Sequence, residues 1–477
     1  MNGSVARASI GLRSERGPVL GALMLATGLI AIDATILATA VPSIVRDLGS
    51  YQQFPWLFSV YLLAQAVSVP IYSRLADTIG RKPIIMLGIA LFLIGSVLCG
   101  FAWNMSSLIV FRIVQGLGAG AVAPMAMTIV GDIYTVAERA KVQGYIASVW
   151  AISSVVGPAL GGVFAQFDAW RWIFWVNIPL CVIAGWMLLR NYKEQKQTQR
   201  HRIDYVGAVL LTIGLTAVIL GMLEGGNAWP WLSVQSALCF GIGVAALAAF
   251  SMVERRVAEP IVDLRLAGRR LILTTTLVSL GVGALMIGVV SFAPAYLEGS
   301  LGIAPLLSGL AVAALTLGWP VAAANAGRLY MRIGFRRTTL IGVSITTLAA
   351  IVLASVASWP NPFMIAAIAF FLGFGLGWTA APTLIAAQSS VGWSERGAVT
   401  GMNAFARSAG SAVGVAIFGA ISNTVIAQGE GPSDPDTIIR ASVWVFVAVA
   451  VTALLTLVAA VFMPKDDPAS RSGEVRA

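Results

Sequence analysis

Apolar stretches about twenty residues long recur along the chain from Pro18 to Met463, and this repetition constrains the fold more than any other feature. A helix of that length, at about 1.5 Å per residue, matches the roughly 30 Å hydrocarbon thickness of a bilayer. Hydrophobic residues make up 58% of the 477 residues and charged residues only 11%; soluble domains hold roughly 45–50% and 25%. The sequence therefore predicts an all-α polytopic membrane protein, and it excludes a nucleic-acid-binding protein despite the net charge of +10.

The apolar runs, separated by Pro, Gly and charged residues, predict fourteen membrane-spanning helices. Most of the 31 Lys and Arg residues fall in the tails and in every second loop, whereas the loops of the other side hold only Arg46, Arg171 and Arg440. By the positive-inside rule, both termini are expected in the cytoplasm. The net charge then reflects this topology and contact with anionic lipid headgroups. The expected spans are 19–42, 56–74, 83–102, 107–129, 141–165, 171–190, 204–223, 232–252, 270–296, 305–327, 337–358, 361–386, 396–425 and 439–463.

A short internal similarity indicates a duplication. The segment SRLADTIG (73–80) aligns with GRLYMRIG (327–334), and each follows an even-numbered helix and runs into basic residues. Chance similarity of two short basic loops is the alternative. Duplicated halves are one architecture of membrane transporters, so we expect two six-helix halves separated by two extra helices. The predicted divisions are an N-terminal tail (1–18), a first half (19–190), a linker with the extra helices (191–269), a second half (270–463) and a C-terminal tail (464–477).

The rare residue types exclude several classes of function. The single histidine, His201, lies in a polar stretch, so no site of several histidines can hold a metal. Cys99, Cys181 and Cys239 each stand alone in an apolar run and are expected to pack without a redox role. The sequence has no nucleotide-binding P-loop and no Gly-x-Ser-x-Gly site. We therefore expect no cofactor, no metal and no intramembrane enzyme.

Two charged residues lie well inside predicted spans. Helix 1 reads LIAIDATILATAVP (29–42) with Asp33 in its middle, and helix 4 reads LIVFRIVQGLGAGAVAP (108–124) with Arg112. An intramembrane charge costs roughly 2.5–3.5 kcal/mol on insertion scales, so it must face a cavity or a partner. A desolvated carboxyl such as Asp33 can exchange protons or attract a cationic ligand, whereas a nearby Arg112 would stabilise its ionised form. The sequence leaves open which effect dominates; a structural acid and a snorkelling arginine are the alternatives.

Two further segments carry a recognisable pattern. Helix 5 contains SSVVGPALGG (153–162), in which Pro158 predicts a kink and Gly157, Gly161 and Gly162 allow another helix to approach closely. The loop SRLADTIGRKP (73–83) joins helices 2 and 3, and its Gly80 suits a tight turn. Its charged residues predict a cluster at the membrane surface that could stabilise one packing of the halves. They are Arg74, Asp77, Arg81 and Lys82.

These segments resemble the signature motifs of the major facilitator superfamily, and above all those of its fourteen-helix drug:proton antiporter branch of the multidrug efflux type. The loop is similar to the G-x-L-a-D-r-x-G-r-k motif, although Ser73 replaces the first glycine and Thr78 the basic residue. Helix 5 resembles the antiporter motif G-x-x-x-G-P-x-x-G-G, with Ser153 in place of the leading glycine. The segments 29–42, 108–124, WRWIFWVNIP (170–179) and 394–417 also resemble motifs of the branch.

The resemblance implies roles for particular residues. Arg112 would take part in proton transfer with Asp33, and Gly157 and Pro158 would form a kinked seal typical of exporters. Asp132 at the foot of helix 4 would join Asp77 in a cytoplasmic latch, with Asp77 near Arg396 at the start of helix 13. The candidates for lining a permissive cavity, each of which could instead pack in the core or face lipid, are Trp150, Asn177, Trp319, Trp378, Met402, Asn403 and Arg407.

The expected function is that of a proton-coupled antiporter in the cell inner membrane. It would export small amphipathic compounds or drugs as a monomer, with protons, the small-molecule substrate and the lipid bilayer as its partners. A lipid, siderophore or metabolite cargo on the same fold is the alternative, because no feature of the sequence decides the cargo.

Overall fold

The computed structural model describes residues 11–12, 14–134, 136–194, 204–226, 228–257, 260–261, 264–391 and 396–465. In that part of the chain, sixteen α-helices and one 3-10 turn (Tyr51–Gln53) account for the regular structure. The helices are α1 (Gly17–Leu48), α2 (Phe54–Ile79), α3 (Arg81–Gly100), α4 (Met105–Ile133), α5 (Val136–Gln166), α6 (Trp172–Trp175), α7 (Asn177–Asn191), α8 (Tyr205–Glu224), α9 (Val234–Glu254), α10 (Leu264–Ala267), α11 (Arg270–Leu301), α12 (Pro305–Ile333), α13 (Phe335–Val356), α14 (Pro362–Ser389), α15 (Arg396–Gln428) and α16 (Pro435–Val461).

The all-α membrane architecture is confirmed. Among the described residues, thirteen helices are long and apolar enough to cross a membrane. Each of the fourteen predicted spans falls on a helix, and the one at 171–190 is divided at Val176 into α6 and α7. The predicted span that is not among the thirteen is α2, which has 26 residues and would therefore measure about 39 Å at 1.5 Å per residue. The chain is a multi-pass membrane protein.

The two segments of the internal similarity adopt the same local structure. Gly80 ends α2 with φ 105° and ψ 157°, and Gly334 ends α12 with φ 93° and ψ 162°. A positive φ is strained for residues with a Cβ, so glycine suits both sharp turns. In each case the next helix begins directly after the glycine. This supports the duplication locally, while the predicted division of the chain into halves and linker stays a prediction.

Side-chain caps fix several helix starts between the spans. Asn104 and Ser107 form a capping box at the start of α4. The carboxylate of Asp204 accepts a hydrogen bond from the Gly207 N–H at 2.8 Å and so begins α8. These caps satisfy backbone N–H groups that a helix start leaves unpaired.

The helices α1 to α7 pack on one another, and so do α11 to α16, while α5 packs against α12 and α2 against α15. We call the end of the bundle where α1 begins and α2 ends the basic end, because Arg81 and Lys82 lie there. Between the groups, a Cβ built on Gly162 would lie 2.6 Å from the Leu306 Cα. The side chain of Asn423 donates to the Gln52 carbonyl at 2.8 Å. Both contacts lie at the opposite end, where the two groups therefore meet.

A buried aromatic cluster joins the two groups. The ring centroid of Phe54 on α2 lies 5.2 Å from that of Phe292 on α11, and Phe292 lies 6.5 Å from Phe418 on α15, both edge to face. All three side chains are buried. We call Phe54, Phe292 and Phe418 the aromatic cluster.

The two extra helices, α8 and α9, pack on each other, and α8 also contacts both α2 and α15. The Trp56 indole of α2 donates to a Glu224 carboxylate oxygen at the end of α8 at 2.8 Å. One apolar cluster unites the three helices: Leu63, Val67, Ile219, Leu223, Ala412 and Ala416.

Candidate functional site

A buried ion pair joins α1 to α4 inside the membrane-spanning region. Arg112 Nη1 lies 2.7 Å from Asp33 Oδ2, and each side chain is only 1% exposed. The two residues that the sequence singled out are thus direct partners. Because each charge offsets the desolvation of the other, the pair can exist in an apolar surrounding.

Polar neighbours complete the hydrogen bonding of this pair. Gln115, one turn beyond Arg112 on α4, accepts from Arg112 Nη1 at 2.6 Å and donates to Asp33 Oδ1 at 2.8 Å. Gln115 also donates to the Ser96 hydroxyl at 2.9 Å, and Arg112 Nε donates to the Leu57 carbonyl at 3.2 Å. Sequence reasoning assigned no role to Gln115 or Ser96. Two sequence patterns could have indicated them: Gln115 is a polar residue three positions after Arg112 on the same helix, and Ser96 is a polar residue within the apolar helix α3.

Asn177 and Tyr61 close the network. Asn177 Nδ2 donates to Asp33 Oδ1 at 3.4 Å and to Ser96 Oγ at 3.2 Å. The Arg112 guanidinium lies 4.0 Å from the centroid of the Tyr61 ring, a cation–π contact. Within the described part of the chain, Asn177 Oδ1 and the Tyr61 hydroxyl oxygen are buried without a hydrogen-bond partner. Either oxygen could therefore accept a new hydrogen bond if the network rearranged.

This geometry corrects one expectation about the site. The sequence left open whether Asp33 faces a cavity or a partner, and it proposed Asn177 as a possible cavity residue. Both are buried, Asn177 fully so, because Arg112 and the amides of α4 and α7 enclose the carboxylate. In this conformation the ionised pair, and not a solvated acid, occupies the position.

The helix with the antiporter-like motif packs directly against the Asp33 helix. A Cβ built on Gly157 would lie 2.0 Å from Thr35 Oγ1, and one on Gly161 would lie 2.1 Å from Thr39 Oγ1. The Thr39 hydroxyl donates to the Pro158 carbonyl at 3.4 Å, and α5 continues through this proline. The glycines therefore allow α5 to lie against α1 within one turn of Asp33.

At the basic end, two of the residues predicted to form the latch are ion-paired, while the latch itself stays a prediction. Arg81 Nε lies 3.0 Å from Asp132 Oδ2, which joins the start of α3 to the end of α4. Lys82 Nζ donates to the carbonyls of Leu189 at 2.9 Å and Tyr192 at 2.7 Å, at the end of α7. The side chains of Asp77 and Arg396 lie outside the described residues, so their predicted contact stays a prediction.

Glu194 is a member of this cluster that the sequence did not reveal. Its carboxylate accepts hydrogen bonds from the backbone N–H groups of Arg81 and Lys82, the latter at 3.2 Å. A Cβ on Gly80 would lie 2.6 Å from Glu194 Oε2, so this glycine also makes room for the carboxylate. Burial, together with the carboxylates of Glu194 and Asp132, raises the pKa of Tyr192 to about 12. The charge of Glu194 lies at the N-terminus of α3, where a negative charge is stabilising.

The aromatic cavity candidates lie in different surroundings. Trp150 on α5 is 41% exposed, whereas Trp319 packs against the main apolar core. Trp378 stacks edge to face on Phe374 at 4.7 Å, in an aromatic run on α14. Their role in a cavity stays a prediction.

The three candidates on α15 also differ. Met402 is buried in an apolar cluster with Leu266 and Ile272, so the expectation that it lines a cavity does not hold in this conformation. Asn403 is buried, and its Oδ1 accepts a hydrogen bond from the Ser279 hydroxyl. The Arg407 side chain is exposed.

Comparison with known proteins decides the family. A sequence profile described as the Major Facilitator Superfamily matches residues 23–415 and, in a second match, residues 289–476. The chain belongs to the Major Facilitator Superfamily. It is 32% identical over 412 residues to "Multidrug resistance protein 3" of Bacillus subtilis, covering 86% of this chain and 80% of the relative. It is 30% identical to "Multidrug transporter protein MdtP" of the same organism, covering 87% of this chain and 76% of the relative.

Solved structures of other transporters share the fold. A bacterial homologue of the human lysosomal transporter Spinster, in an inward-facing and unoccupied conformation, superposes with a TM-score of 0.69 at 18% identity. That comparison covers 94% of this chain and 98% of the other. A peptide transporter solved with sulfate gives 0.67 at 16% identity, covering 94% and 96%. The expected superfamily is confirmed, and the chain is a membrane transporter, not an enzyme.

Proposed function

We propose that this transporter is a proton-coupled antiporter that exports small amphipathic compounds, drugs among them, across the cytoplasmic membrane. The names of its relatives "Multidrug resistance protein 3" and "Multidrug transporter protein MdtP" support the cargo class. The name of a third relative, "Efflux pump FUS6" of Gibberella moniliformis, supports the direction. The basic end lies in the cytoplasm, in line with the positive-inside rule. The proton gradient drives the cycle without a cofactor, and the monomer is the working unit.

The observation that carries the proposal is the ion pair of Asp33 and Arg112. When Asp33 takes up a proton, its charge is lost and Arg112 becomes a buried cation without a counter-charge. Leaving a buried charge without its partner in this way costs about 3–5 kcal/mol of conformational stability. Protonation therefore favours a conformation in which Arg112 finds another partner or water, and this links proton binding to a movement of α1 relative to α4.

The helix α5 transmits that movement to the other group of helices. On one side it packs on α1 through Gly157 and Gly161, and on the other it meets the start of α12, where Gly162 faces Leu306. A shift of α1 thus acts on the contact that closes the end opposite the basic end. The ion-paired state corresponds to the proton-free carrier, in which cargo enters from the cytoplasm.

The test is transport by purified protein in liposomes that contain a pH-sensitive dye. With an imposed pH gradient, wild type should move ethidium or the anionic dye 8-anilinonaphthalene-1-sulfonate against its gradient, and a protonophore should abolish this. Asp33→Asn should insert and fold, but should lose proton-coupled transport at least tenfold. The control is Asp47→Asn, which removes an acid near the C-terminal end of α1 that pairs with Arg171 at 2.7 Å.

Two results would count against the proposal. Full proton-coupled transport by Asp33→Asn would contradict the coupling role of this residue. No transport of either dye by well-folded wild type would favour the alternative, a lipid, siderophore or metabolite as cargo on the same fold.

A further inference from the structure

We propose that Arg407 binds an anionic group at the junction of the two groups of helices, so that the exported compounds are amphipathic molecules with one carboxylate or sulfonate. This inference rests on the proposed export function and specifies its cargo.

The position of Arg407 on α15 carries the argument. A strip along this helix holds Thr400, Arg407, Ser411 and Phe418, spaced by seven, four and seven residues, which places them on one face of an α-helix. Phe418 belongs to the aromatic cluster between the two groups of helices. The strip therefore points to the junction of the groups, and Arg407 lies three turns, about 16 Å, nearer the basic end than the cluster.

The neighbouring faces of α15 are occupied by other helices. A Cβ on Gly410 would lie 2.0 Å from the Leu280 carbonyl of α11, and the Ala412 carbonyl accepts from the Ser59 hydroxyl of α2 at 3.2 Å. Arg407 lies between these two packed faces, and its side chain is exposed. Arg407 lies about a third of the way along α15, and a guanidinium that faces lipid within a span is costly, so such residues face a water-filled cavity or a partner.

No acid neutralises this guanidinium in the described part of the chain. Arg407 forms no ion pair there, and Asp33, the acid deep within α1, is already bonded to Arg112. The membrane-embedded pair is neutral overall, so Arg407 gives this part of the transporter an uncompensated positive charge. A cationic ligand would be repelled at this position, and an anionic one attracted.

A second donor lies one turn away. Asn403 Oδ1 accepts from the Ser279 hydroxyl, while its Nδ2 is buried without a hydrogen-bond partner among the described residues. The guanidinium and the amide N–H group are both donors, as a carboxylate or sulfonate requires. Arginine binds such oxygens in a bidentate manner, which gives a strong and directional contact. The apolar part of the ligand would then extend along the strip towards Phe418.

The experiment compares two dyes of opposite charge in proteoliposomes with an imposed pH gradient: 8-anilinonaphthalene-1-sulfonate and ethidium. Arg407→Gln is expected to lower transport of the sulfonate roughly tenfold or more, mainly through a higher KM, because charge-assisted hydrogen bonds are lost. Ethidium transport should stay equal or rise. Arg407→Lys keeps the charge and should lie between wild type and Arg407→Gln for the sulfonate. Arg440→Gln removes a cation at the end of the bundle opposite the basic end and is the matched control.

The outcomes separate this inference from the proposed function. Transport of ethidium but not of the sulfonate by wild type would overturn the anion site and leave proton-coupled export in place. Equal loss of both dyes in Arg407→Gln, with normal size-exclusion behaviour, would show a coupling or structural role and overturn it as well. Unchanged sulfonate transport in Arg407→Gln would overturn it too. If wild type transports neither dye, both the inference and the proposed export of such compounds fail.

Discussion

The strongest quantitative prediction concerns the stability of the Asp33–Arg112 pair. Asp33→Asn leaves the guanidinium of Arg112 buried with neutral partners only, and Arg112→Gln leaves the carboxylate buried with amide donors. Breaking a buried pair by removing one partner costs about 3–5 kcal/mol. The cation–π contact with Tyr61 remains in Asp33→Asn, and the hydrogen bonds that Gln115 and Asn177 donate to the carboxylate remain in Arg112→Gln. We therefore expect a loss of about 3 kcal/mol for each single variant.

The double variant Asp33→Asn/Arg112→Gln should behave differently. It contains two neutral amides in place of two opposite charges, and such a replacement is often close to neutral. We therefore expect it to lose about 1 kcal/mol, less than either single variant and far less than their sum. The assay is the free energy of unfolding in dodecylmaltoside micelles titrated with sodium dodecyl sulfate, followed by tryptophan fluorescence.

The ion pair of Asp47 and Arg171 provides the control for this cycle. Its side chains are 48% and 38% exposed, and exposed pairs contribute only about 0–1 kcal/mol. Removing either partner should therefore change the free energy of unfolding by less than about 1 kcal/mol. If the losses of the two buried variants simply add in the double variant, the reasoning about an uncompensated charge is refuted.

Two further predictions concern packing and the basic end. Gly157→Val should abolish transport, because a Cβ there would lie 2.0 Å from Thr35 Oγ1. Gly241→Val is the control and should be tolerated, because nothing lies within 4 Å of a Cβ at that position. Equal dye transport by both variants would contradict the packing argument. Glu194→Gln should lower the free energy of unfolding by about 0.5–1 kcal/mol in the same detergent titration, less so at high salt, because it removes a screened charge at a helix N-terminus. No change at low salt would mean that the hydrogen bonds to the α3 backbone do not depend on that charge.

Hydropathy predicted the helices well, because a span must be apolar along its whole length whatever its neighbours are. The same argument identified Asp33 and Arg112, since a charge in such a segment is conspicuous. It could not show that they are direct partners, because pairing depends on how α1 and α4 are rotated against each other. Met402 illustrates the limit: its sequence context does not distinguish a cavity from an apolar cluster formed with residues far away in the chain.

Other site residues were missed for a related reason. Gln115 and Ser96 are common residue types, and only their convergence on one carboxylate gives them a role. Glu194 follows α7 in a polar stretch where charged residues are the norm, and it reaches the start of α3 only through the fold. Long-range contacts of this kind leave no periodic trace in a single sequence.

The position of α8 has a mechanical consequence. It is held to α2 by the Trp56–Glu224 hydrogen bond and shares an apolar cluster with α15, so one helix is fastened to both moving bodies. When one group rotates as a rigid body against the other, α8 and α9 must therefore move with one of the groups and slide against the other within this cluster. On the α2 side, α8 is held by a directional hydrogen bond, so α8 should stay with α2 and pivot there. On the α15 side, α8 contacts the small side chains of Ala412 and Ala416, which allow one helix to slide along the other.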